Sequence, residues 1–311
     1  MFQVVLRWGD FMLDAEQIIE QLEAEGFRAA FLPIGAMEQV RAHYHTLTQR
    51  APETGLAKGA AERFFSNQPP KLDFEPKSIL VIALPPGQAG KLRLLRRGKR
   101  FEIPVLPFYA QGQKPAEHLK EVLTAAAEGY QLGHTTGISQ KLLAALGGLG
   151  QYGRNNICFV GDWGTWCELD THYTDIPFEG PVRESLRMAS CDTCDLCRKA
   201  CPTGAIGDTQ VIDANRCLAM RNENRGHMPR WVPKDAHHTL IGCALCQACC
   251  PQNPVLNYGS HVLELDKAET RELLSRGKRI SKGLARKLEA FGIDWDVQVI
   301  KRNARLCVKV M

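Results

Sequence analysis

The sequence CDTCDLCRKACP, residues 191–202, sets three cysteines at successive two-residue gaps and ends in a Cys-Pro step. A second run, CALCQACCP at residues 243–251, ends in the same way, and Cys217 stands alone between the two runs. Two-residue gaps let a tight loop place three thiolates around one iron–sulfur cube. In two-cluster ferredoxins, the cysteine before proline ligates the other cube. The spacing therefore predicts two 4Fe–4S clusters and a role in electron transfer.

The pattern divides eight of the twelve cysteines between the two clusters. The ligands predicted for the first cluster are Cys191, Cys194, Cys197 and Cys250. The ligands predicted for the second cluster are Cys201, Cys217, Cys243 and Cys246. Cys249 is left out, because choosing it would replace the Cys-Pro step by an unusual two-residue gap. CxxC pairs also suit tetrahedral zinc, so a pair of zinc sites is the competing interpretation.

Composition indicates a globular protein without export or membrane signals. The 311 residues are 44% hydrophobic, which is enough for a substantial core and about two domains. Residues 1–17 do not resemble a secretory signal, and no stretch reaches the roughly 18 apolar residues of a membrane span. Twelve cysteines in a chain that shows no secretory signal indicate reduced metal ligands and not a disulfide framework. We therefore expect a cytoplasmic protein with no membrane contact, in which Cys158, Cys167 and Cys307 are buried thiols.

Positive charge is concentrated in two stretches, although the net charge is only +5. Six Lys and Arg side chains crowd residues 91–100, which are expected to form a loop. Residues 267–311 hold twelve Lys and Arg against five Asp and Glu. Either stretch suits phosphate binding, and either suits an ordinary solvated surface equally well.

The first half of the chain alternates predicted helices with predicted strands. Residues 78–84 form an uninterrupted apolar run, which is typical of a central strand buried on both faces. Asp14 and Gln17 form the pattern of a capping box and predict a first helix of about a dozen residues. Further helices are predicted from Pro115 and over residues 138–146, and a strand is predicted over residues 156–161.

These elements predict an α+β fold, with a layered α/β domain followed by a bacterial ferredoxin-like domain that carries two 4Fe–4S clusters. The predicted boundaries are residues 1–183 for the first domain and 184–255 for the second. Residues 256–311 are expected to form a short, basic and mainly helical extension.

Several motifs besides the cysteines resemble those of the epoxyqueuosine reductase family. They are GLGQYGRN (148–155), GTWCEL (164–169) with Thr174-Asp175, the strand at 78–84 and YAQG (109–112). The resemblance covers roughly residues 10 to 255. Gly148, Gly150 and Gly153 also form a GxGxxG string, but it follows a predicted helix, whereas a dinucleotide site needs a preceding strand.

The resemblance implies a cofactor that composition does not indicate. The family, which is related to reductive dehalogenases, binds cobalamin in its N-terminal domain and supplies it with electrons from the two clusters. It implies that the turn from Gly148 to Asn155 helps to form the corrinoid site, with the strand at residues 156–161 beside it. The candidate cofactor-binding residues are therefore Gly148, Gly150, Gly153, Asn155 and Cys158.

The chain departs from the family pattern in ways that bear on the substrate. His134 stands where the family has an acidic residue thought to donate a proton, and Lys114-Pro115-Ala116 replaces an Asp-Tyr-His stretch. Because an imidazole titrates near neutral pH, His134 is the candidate catalytic proton donor. The alternatives are a cobalt ligand, suggested by the His134-Thr-Thr-Gly137 pattern, and a loop histidine bonded to the backbone. The C-terminal extension is also short, at about 55 residues.

The leading hypothesis is a cobalamin-dependent reductase that takes electrons from a low-potential donor of the ferredoxin or flavodoxin type and reduces an unidentified small molecule. One alternative is an electron-transfer or corrinoid-handling protein without substrate chemistry of its own. The other is an epoxyqueuosine reductase that acts on tRNA. His237 and His238 precede the second cysteine run and are expected in a surface loop, because the thiolate count is complete without them.

Overall fold

The computed structural model describes residues 12–48, 71–110, 114–208, 211–259 and 261–310. Residues 1–11 and the Gln111-Gly112 part of the YAQG motif lie outside the described residues. The helices are α1 (Ala15–Ala24), α2 (Met37–Thr48), α3 (Lys114–Ala126), α4 (Gln140–Leu146), α5 (Leu196–Ala200), α6 (Leu218–Glu223), α7 (Leu245–Ala248), α8 (Lys267–Leu274), α9 (Lys282–Phe291) and α10 (Val297–Val310). The strands are β1 (Arg28–Pro33), β2 (Ser78–Leu84), β3 (Gly90–Arg96), β4 (Lys99–Val105), β5 (Leu132–His134), β6 (Gln151–Tyr152), β7 (Cys158–Phe159), β8 (Glu168–Thr174) and β9 (Val262–Glu264).

The first sheet has the strand order β1-β2-β8-β5, and all of its neighbouring strands are antiparallel. Every residue of β2 is buried. Leu80 and Ile82 pack with residues of α1 and α3, whereas Ile79 and Val81 pack with residues of α2 and α4 on the other face. The sheet is thus covered on both faces by helices. This confirms the prediction of a central strand and the α+β fold class.

The predicted N-terminal helix is also confirmed, with the capping box that the sequence indicated. Asp14 Oδ1 accepts a hydrogen bond from the Gln17 backbone N–H at 2.9 Å, and Gln17 Oε1 accepts one from the Asp14 N–H at 3.0 Å. The predicted strand at residues 156–161 is shorter than expected, because only Cys158–Phe159 pair with β6. The following residues turn away at Gly161, which has a φ of 49°.

The second sheet corrects the interpretation of the basic stretch at residues 91–100 as a loop. These residues form the β3–β4 hairpin, which closes in a two-residue turn with positive φ at both Arg97 and Gly98. Within the hairpin, Lys91 Nζ and Arg93 Nη2 contact the carboxylate of Glu102 at 3.1 and 2.8 Å. Part of the positive charge is therefore neutralised inside the hairpin.

Residues 256–311 pack onto this hairpin. Strand β9 pairs with β3 in parallel, and α8, α9 and α10 cover a core that includes Leu92, Leu94 and Ile103. The extension is mainly helical, as the sequence predicted, and it shares its core with residues that precede the cysteine runs. The three-part domain division stays a prediction. Among the described residues, no helix has both the length and the apolar character needed to cross a membrane.

His237 and His238 lie in a loop, as expected, but the expectation that they lie at the surface is wrong. His237 is 6% exposed, and burial lowers the pKa of both imidazoles. The reason is the C-terminal helix α10, which covers the segment after them: Asn303 Nδ2 donates to the backbone oxygen of Leu240, and Cys307 Sγ donates to that of Thr239. Such a contact between distant parts of the chain leaves no local signal in the sequence.

We expect the protein to lose thermal stability as the pH falls below about 6.5, the ordinary pKa of histidine. His238 Nδ1 donates to the Ala236 oxygen at 2.8 Å, and its buried Nε2 has no hydrogen-bond partner among the described residues. A proton on Nε2 would leave a buried charge unpaired, so the pKa of His238 is lower in the folded protein than in the unfolded chain. The stability that this difference provides is therefore complete above the pKa of the unfolded chain and is lost as the pH falls below it. The check is the melting temperature between about pH 5.5 and 7.5. The His238→Gln variant should lose less stability in acid than the wild type, and equal losses would contradict the assignment.

Candidate functional site

The two cysteine runs form short loops that lead into α5 and α7, and these two helices pack against each other. All twelve cysteines are free thiols. The packing of α5 on α7 brings the first run close to the second, although about fifty residues separate them in sequence. The thiols of both runs are therefore available as ligands in one region of the fold.

A cavity with about 760 Å³ of empty space lies beside the second cysteine run. Its wall contains the whole predicted ligand set of the second cluster, namely Cys201, Cys217, Cys243 and Cys246. Much of the remaining wall is apolar and includes Leu106, Phe108, Tyr109, Ile157, Ala205 and Ile206. The fold thus brings together four thiols from three separate parts of the sequence, as one cube requires.

The thiols of this second set are poorly solvated. Burial raises the pKa of Cys243 to about 12, and the nearby Cys217 and Cys201 thiols act in the same direction. Burial also raises the pKa of Cys246 and of Cys217. Burial opposes ionisation of Cys201 as well, but hydrogen bonds from Thr203 and neighbouring backbone groups hold the pKa of Cys201 below its ordinary value. Because iron binds thiolates, cluster insertion here must release protons.

The thiols of the first ligand set are also partly buried. Burial raises the pKa of Cys197 to about 11, and the neighbouring thiols of Cys249, Cys191 and Cys250 raise it further. Cys250 also interacts electrostatically with Cys191 and Cys194, so the predicted ligands of the first cluster lie close to one another. Both Cys249 and Cys250 are therefore within range of the first set.

The end of the glycine turn holds the cluster loops in place. Arg154 Nε donates to the Cys194 oxygen at 2.9 Å, and its Nη2 donates to the Cys191 oxygen at 2.5 Å. Asn155 is 3% exposed and lines the cavity, and its Nδ2 donates to the Cys246 oxygen at 3.4 Å. The turn therefore connects the first sheet to the loops of both predicted clusters. Arg154 was not a candidate in the sequence.

The glycines of the turn pack against the protein itself. The N–H groups of Gly148, Gly150 and Gly153 donate to backbone oxygens of the chain. A Cβ on Gly150 would lie 2.5 Å from Cys158 Sγ, and one on Gly153 would lie 2.5 Å from the Phe159 ring. Close packing thus accounts for these glycines, and only Asn155 of the five candidate cofactor residues lines the cavity. A cofactor role for the other four stays a prediction.

Replacing Gly150 with alanine is expected to destabilise the protein by about 1–3 kcal/mol, the usual effect of overpacking. The added methyl group would meet not only Cys158 Sγ but also the backbone oxygen of Phe159 at 2.7 Å, which cannot move aside as a side chain does. The measurement is thermal or denaturant unfolding under anaerobic conditions. Gly35→Ala is the matched control, because a Cβ on Gly35 has no neighbour within 4 Å among the described residues. Equal stabilities of the two variants would contradict the steric argument.

Cys158 is buried in the core of the first sheet. It is 4% exposed, and burial raises its pKa to about 12, with a smaller contribution from Cys167. Burial likewise raises the pKa of Cys167 to about 11 and that of Cys307 to about 12. Cys158 and Cys307 are buried as expected, whereas Cys167 is only partly buried. Elevated pKa values make all three poor nucleophiles.

Tyr109 and Glu223 form a buried polar pair at the aromatic side of the cavity. Tyr109 Oη donates to Glu223 Oε1 at 2.9 Å, and burial raises the pKa of both groups. The Phe108 ring packs against the rings of Tyr109 and Trp166, each with a centroid distance of 6.3 Å. Trp166 Nε1 donates to the Pro254 oxygen at 2.9 Å. The wall is thus a packed aromatic cluster whose polar atoms are satisfied.

His134 lies at the end of edge strand β5, opposite His172 of β8. Its side chain is 56% exposed, and its Nε2 lies 2.8 Å from Asp170 Oδ1. Its Nδ1 lies 3.0 Å from the Thr135 oxygen. Because both partners are acceptors, only the doubly protonated ring makes both hydrogen bonds at once. His134 is not among the residues that line the cavity.

Asp170 joins two histidines at this edge of the sheet. Its Oδ2 lies 3.1 Å from His172 Nε2, and the rings of His134 and His172 meet edge to face at 5.1 Å. Burial opposes ionisation of Asp170, but the hydrogen bond from His172 and the charges of both imidazoles hold its pKa below the ordinary value. The ionised carboxylate of Asp170 therefore lies within hydrogen-bond distance of both imidazoles.

A family model described as a 4Fe-4S double cluster binding domain matches residues 190–253. The match includes all eight predicted ligands. It confirms two 4Fe–4S clusters as the interpretation of the cysteine runs, in preference to a pair of zinc sites.

The resemblance to epoxyqueuosine reductases is also confirmed. The chain is 35% identical over 118 residues to the epoxyqueuosine reductase of Gloeobacter violaceus, a match that spans 37% of this chain and 36% of the relative. It is 24% identical over 280 residues to that of Staphylococcus aureus, spanning 80% and 68%. A solved epoxyqueuosine reductase with a modified tRNA stem loop shares the fold, with a TM-score of 0.67 and 20% identity over 95% of this chain and 80% of that one. The first relative is thus matched over little more than a third of its length.

Proposed function

We propose that this chain is an iron–sulfur reductase of the epoxyqueuosine reductase type. The observation that carries the proposal is the shared cavity, in which four thiols meet an apolar wall that includes Phe108 and Tyr109. A cluster held by those thiols would lie directly against this apolar wall. That arrangement suits reduction inside a pocket better than simple exchange of electrons between proteins.

The proposed direction of electron flow follows from the position of the two ligand sets. All four thiols of the second set line the cavity, whereas no thiol of the first set does. A low-potential donor of the ferredoxin or flavodoxin type would therefore meet the first cluster. Cys197 interacts electrostatically with Cys246, so the two sets approach each other where electrons would pass inward.

Cobalamin is the proposed acceptor of these electrons, and the chemistry of the cavity fits it. Leu106, Phe108 and Tyr109 offer apolar and aromatic contacts for a macrocycle, and Asn155 marks the border with the cluster loop. When bound, cobalamin supplies a strongly reducing cobalt centre. The residues of the chain would then orient the macrocycle, exclude water and keep it beside the second cluster.

The test of this proposal is anaerobic purification followed by iron, sulfide and corrinoid analysis. We expect about eight irons per chain and, after incubation with hydroxocobalamin, about one corrinoid that stays bound through gel filtration. A protein that holds both clusters and retains no corrinoid would overturn the cobalamin part. It would favour an electron-transfer protein without substrate chemistry of its own.

The proposed substrate class is that of the relatives, epoxyqueuosine in tRNA, because one structural relative was solved with a modified tRNA stem loop. Removal of an epoxide oxygen as water consumes two electrons and two protons. The clusters would supply the electrons, and His134 is the candidate source of one proton. Mass spectrometry of tRNA after incubation with the reduced protein tests this. An intact epoxide with both clusters and the corrinoid bound would favour a small-molecule substrate instead.

A further inference from the structure

A second cavity contains a dense group of cations. It has about 670 Å³ of empty space between residues 225–227, residues 276–278 and helix α10. The basic side chains in its wall are Arg225, His227, Arg276, Lys278, Lys301, Arg302 and Arg305. It shares no lining residue with the cluster cavity. We propose that this cleft is a binding site for a phosphate group, independent of the proposed reductase chemistry.

Three of these side chains, Lys301, Arg302 and Arg305, are bonded only to neutral oxygens. Lys301 Nζ donates to the Glu272 oxygen at 2.7 Å, to Ser275 Oγ and to the Arg279 oxygen. Arg302 donates to three backbone oxygens, those of Arg221, Asn224 and Gly226. Such bonds satisfy the N–H donors but do not neutralise the positive charge of the side chains. Asp296, which pairs with Arg225 at 2.5 Å, is the only carboxylate in an ion pair with a cleft cation across the described ranges.

The cleft holds its cations together in spite of their repulsion. Burial lowers the pKa of Arg302, and the charge of Arg305 lowers it further. Burial and the positive charge of Arg276 likewise lower the pKa of Arg305. Lys301, which is 1% exposed, is fixed by its three bonds to the turn that carries Arg276. An anion that enters would relieve this repulsion without a large rearrangement of the wall.

The number of cations in the cleft suits an anion with several charges, such as phosphate. Guanidinium groups present forked N–H donors that match the oxygens of a phosphate in pairs, and the exposed Lys278 adds an ammonium to the wall. Arg276 and Lys278 are exposed, and neither forms an ion pair within the part of the chain that the structure describes. They are therefore available for a ligand. The phosphate has two sources, a free phosphorylated small molecule or the backbone of an RNA, and one experiment separates them.

The test is isothermal titration of the cluster-loaded protein at low salt with pyrophosphate and, separately, with a short single-stranded RNA. The Arg276→Gln/Lys278→Gln double variant removes two cleft charges that make no structural hydrogen bonds in the described chain. The matched control is Arg41→Gln/Lys120→Gln, which removes the same two charges from exposed positions of helices α2 and α3, outside both basic stretches. We expect the cleft variant to weaken binding of the true ligand at least about tenfold and the control to leave it within about twofold.

The outcomes show whether the bound phosphate comes from a free ligand or from an RNA backbone, and whether the cleft binds phosphate at all. Binding of pyrophosphate that RNA does not displace assigns a free phosphate ligand. RNA binding that pyrophosphate displaces, with a salt dependence reduced in the cleft variant, assigns an RNA backbone. Equal weakening by cleft variant and control, or no binding of either probe to the wild type, would overturn the proposal. Unchanged cluster absorbance and melting temperature exclude a folding defect in a variant. If the double variant is unstable, the Lys278→Gln single variant replaces it in the same titrations.

Discussion

Replacing Cys250 with serine is expected to remove the first cluster and to lower the iron content from about eight to about four atoms per chain. Cys250 is the one member of the predicted first set that comes from the second cysteine run. It interacts electrostatically with Cys191 and Cys194, so it closes the ligand set across the α5–α7 contact. A serine hydroxyl is a much weaker iron ligand than a thiolate. Iron and acid-labile sulfide analysis of the anaerobic protein measures the loss.

Cys249→Ser is the matched control, because it makes the same substitution at the adjacent residue. Cys249 Sγ donates to the Cys246 backbone oxygen at 3.7 Å, and its thiol also interacts with Cys194. The Cys-Pro pattern nevertheless predicts that this variant keeps about eight irons. Iron loss from Cys249→Ser together with full iron in Cys250→Ser would reverse the ligand assignment. The electron route from the surface would then begin at a different thiol.

The two clusters were predictable because iron–sulfur geometry is imposed by local spacing. A loop with two-residue gaps fixes where its sulfurs lie, so residues 191–202 indicate their ligands before any tertiary contact is known. The central strand β2 was predictable for a similar reason. A strand buried on both faces must be apolar throughout, and residues 78–84 show that pattern.

Residues that act through tertiary contacts were not predictable. Glu223 follows Cys217 by six residues without any motif, and its role as the partner of Tyr109 depends on how α6 meets residues 107–109. Asp170 stands within a strand, and only the register that places His172 opposite His134 shows that it joins two imidazoles. These contacts depend on strand pairing and helix packing, which the amino-acid sequence alone does not specify.

The glycine turn shows a different limit. The motif at residues 148–155 was identified in the sequence, and its position in the family pattern suggested contact with a cofactor. In the structure its glycines allow close packing, and Arg154 and Asn155 anchor both cluster loops. A motif therefore identified the segment, whereas the physical role of each residue depended on the packing around it.

Replacing His134 with alanine is expected to lower the turnover of an epoxide-bearing substrate by about 10²-fold or more, the usual contribution of a positioned proton donor. The imidazole lies next to a carboxylate at this edge of the sheet, with its Nε2 2.8 Å from Asp170 Oδ1. Iron and corrinoid contents should stay at wild-type levels, since His134 is not among the residues that line the cavity. The measurement is the rate of epoxide loss with chemically reduced protein.

Two further variants make the His134 test specific. His118→Ala is the matched control, because His118 is also an exposed histidine beside a carboxylate, with its Nε2 3.6 Å from Glu25 Oε2. It should keep wild-type turnover. His134→Asp should retain part of the rate only at acidic pH, because a carboxyl group must be protonated to donate a proton. Wild-type turnover by His134→Ala would assign His134 a purely structural role and would require a different proton source for the reduction.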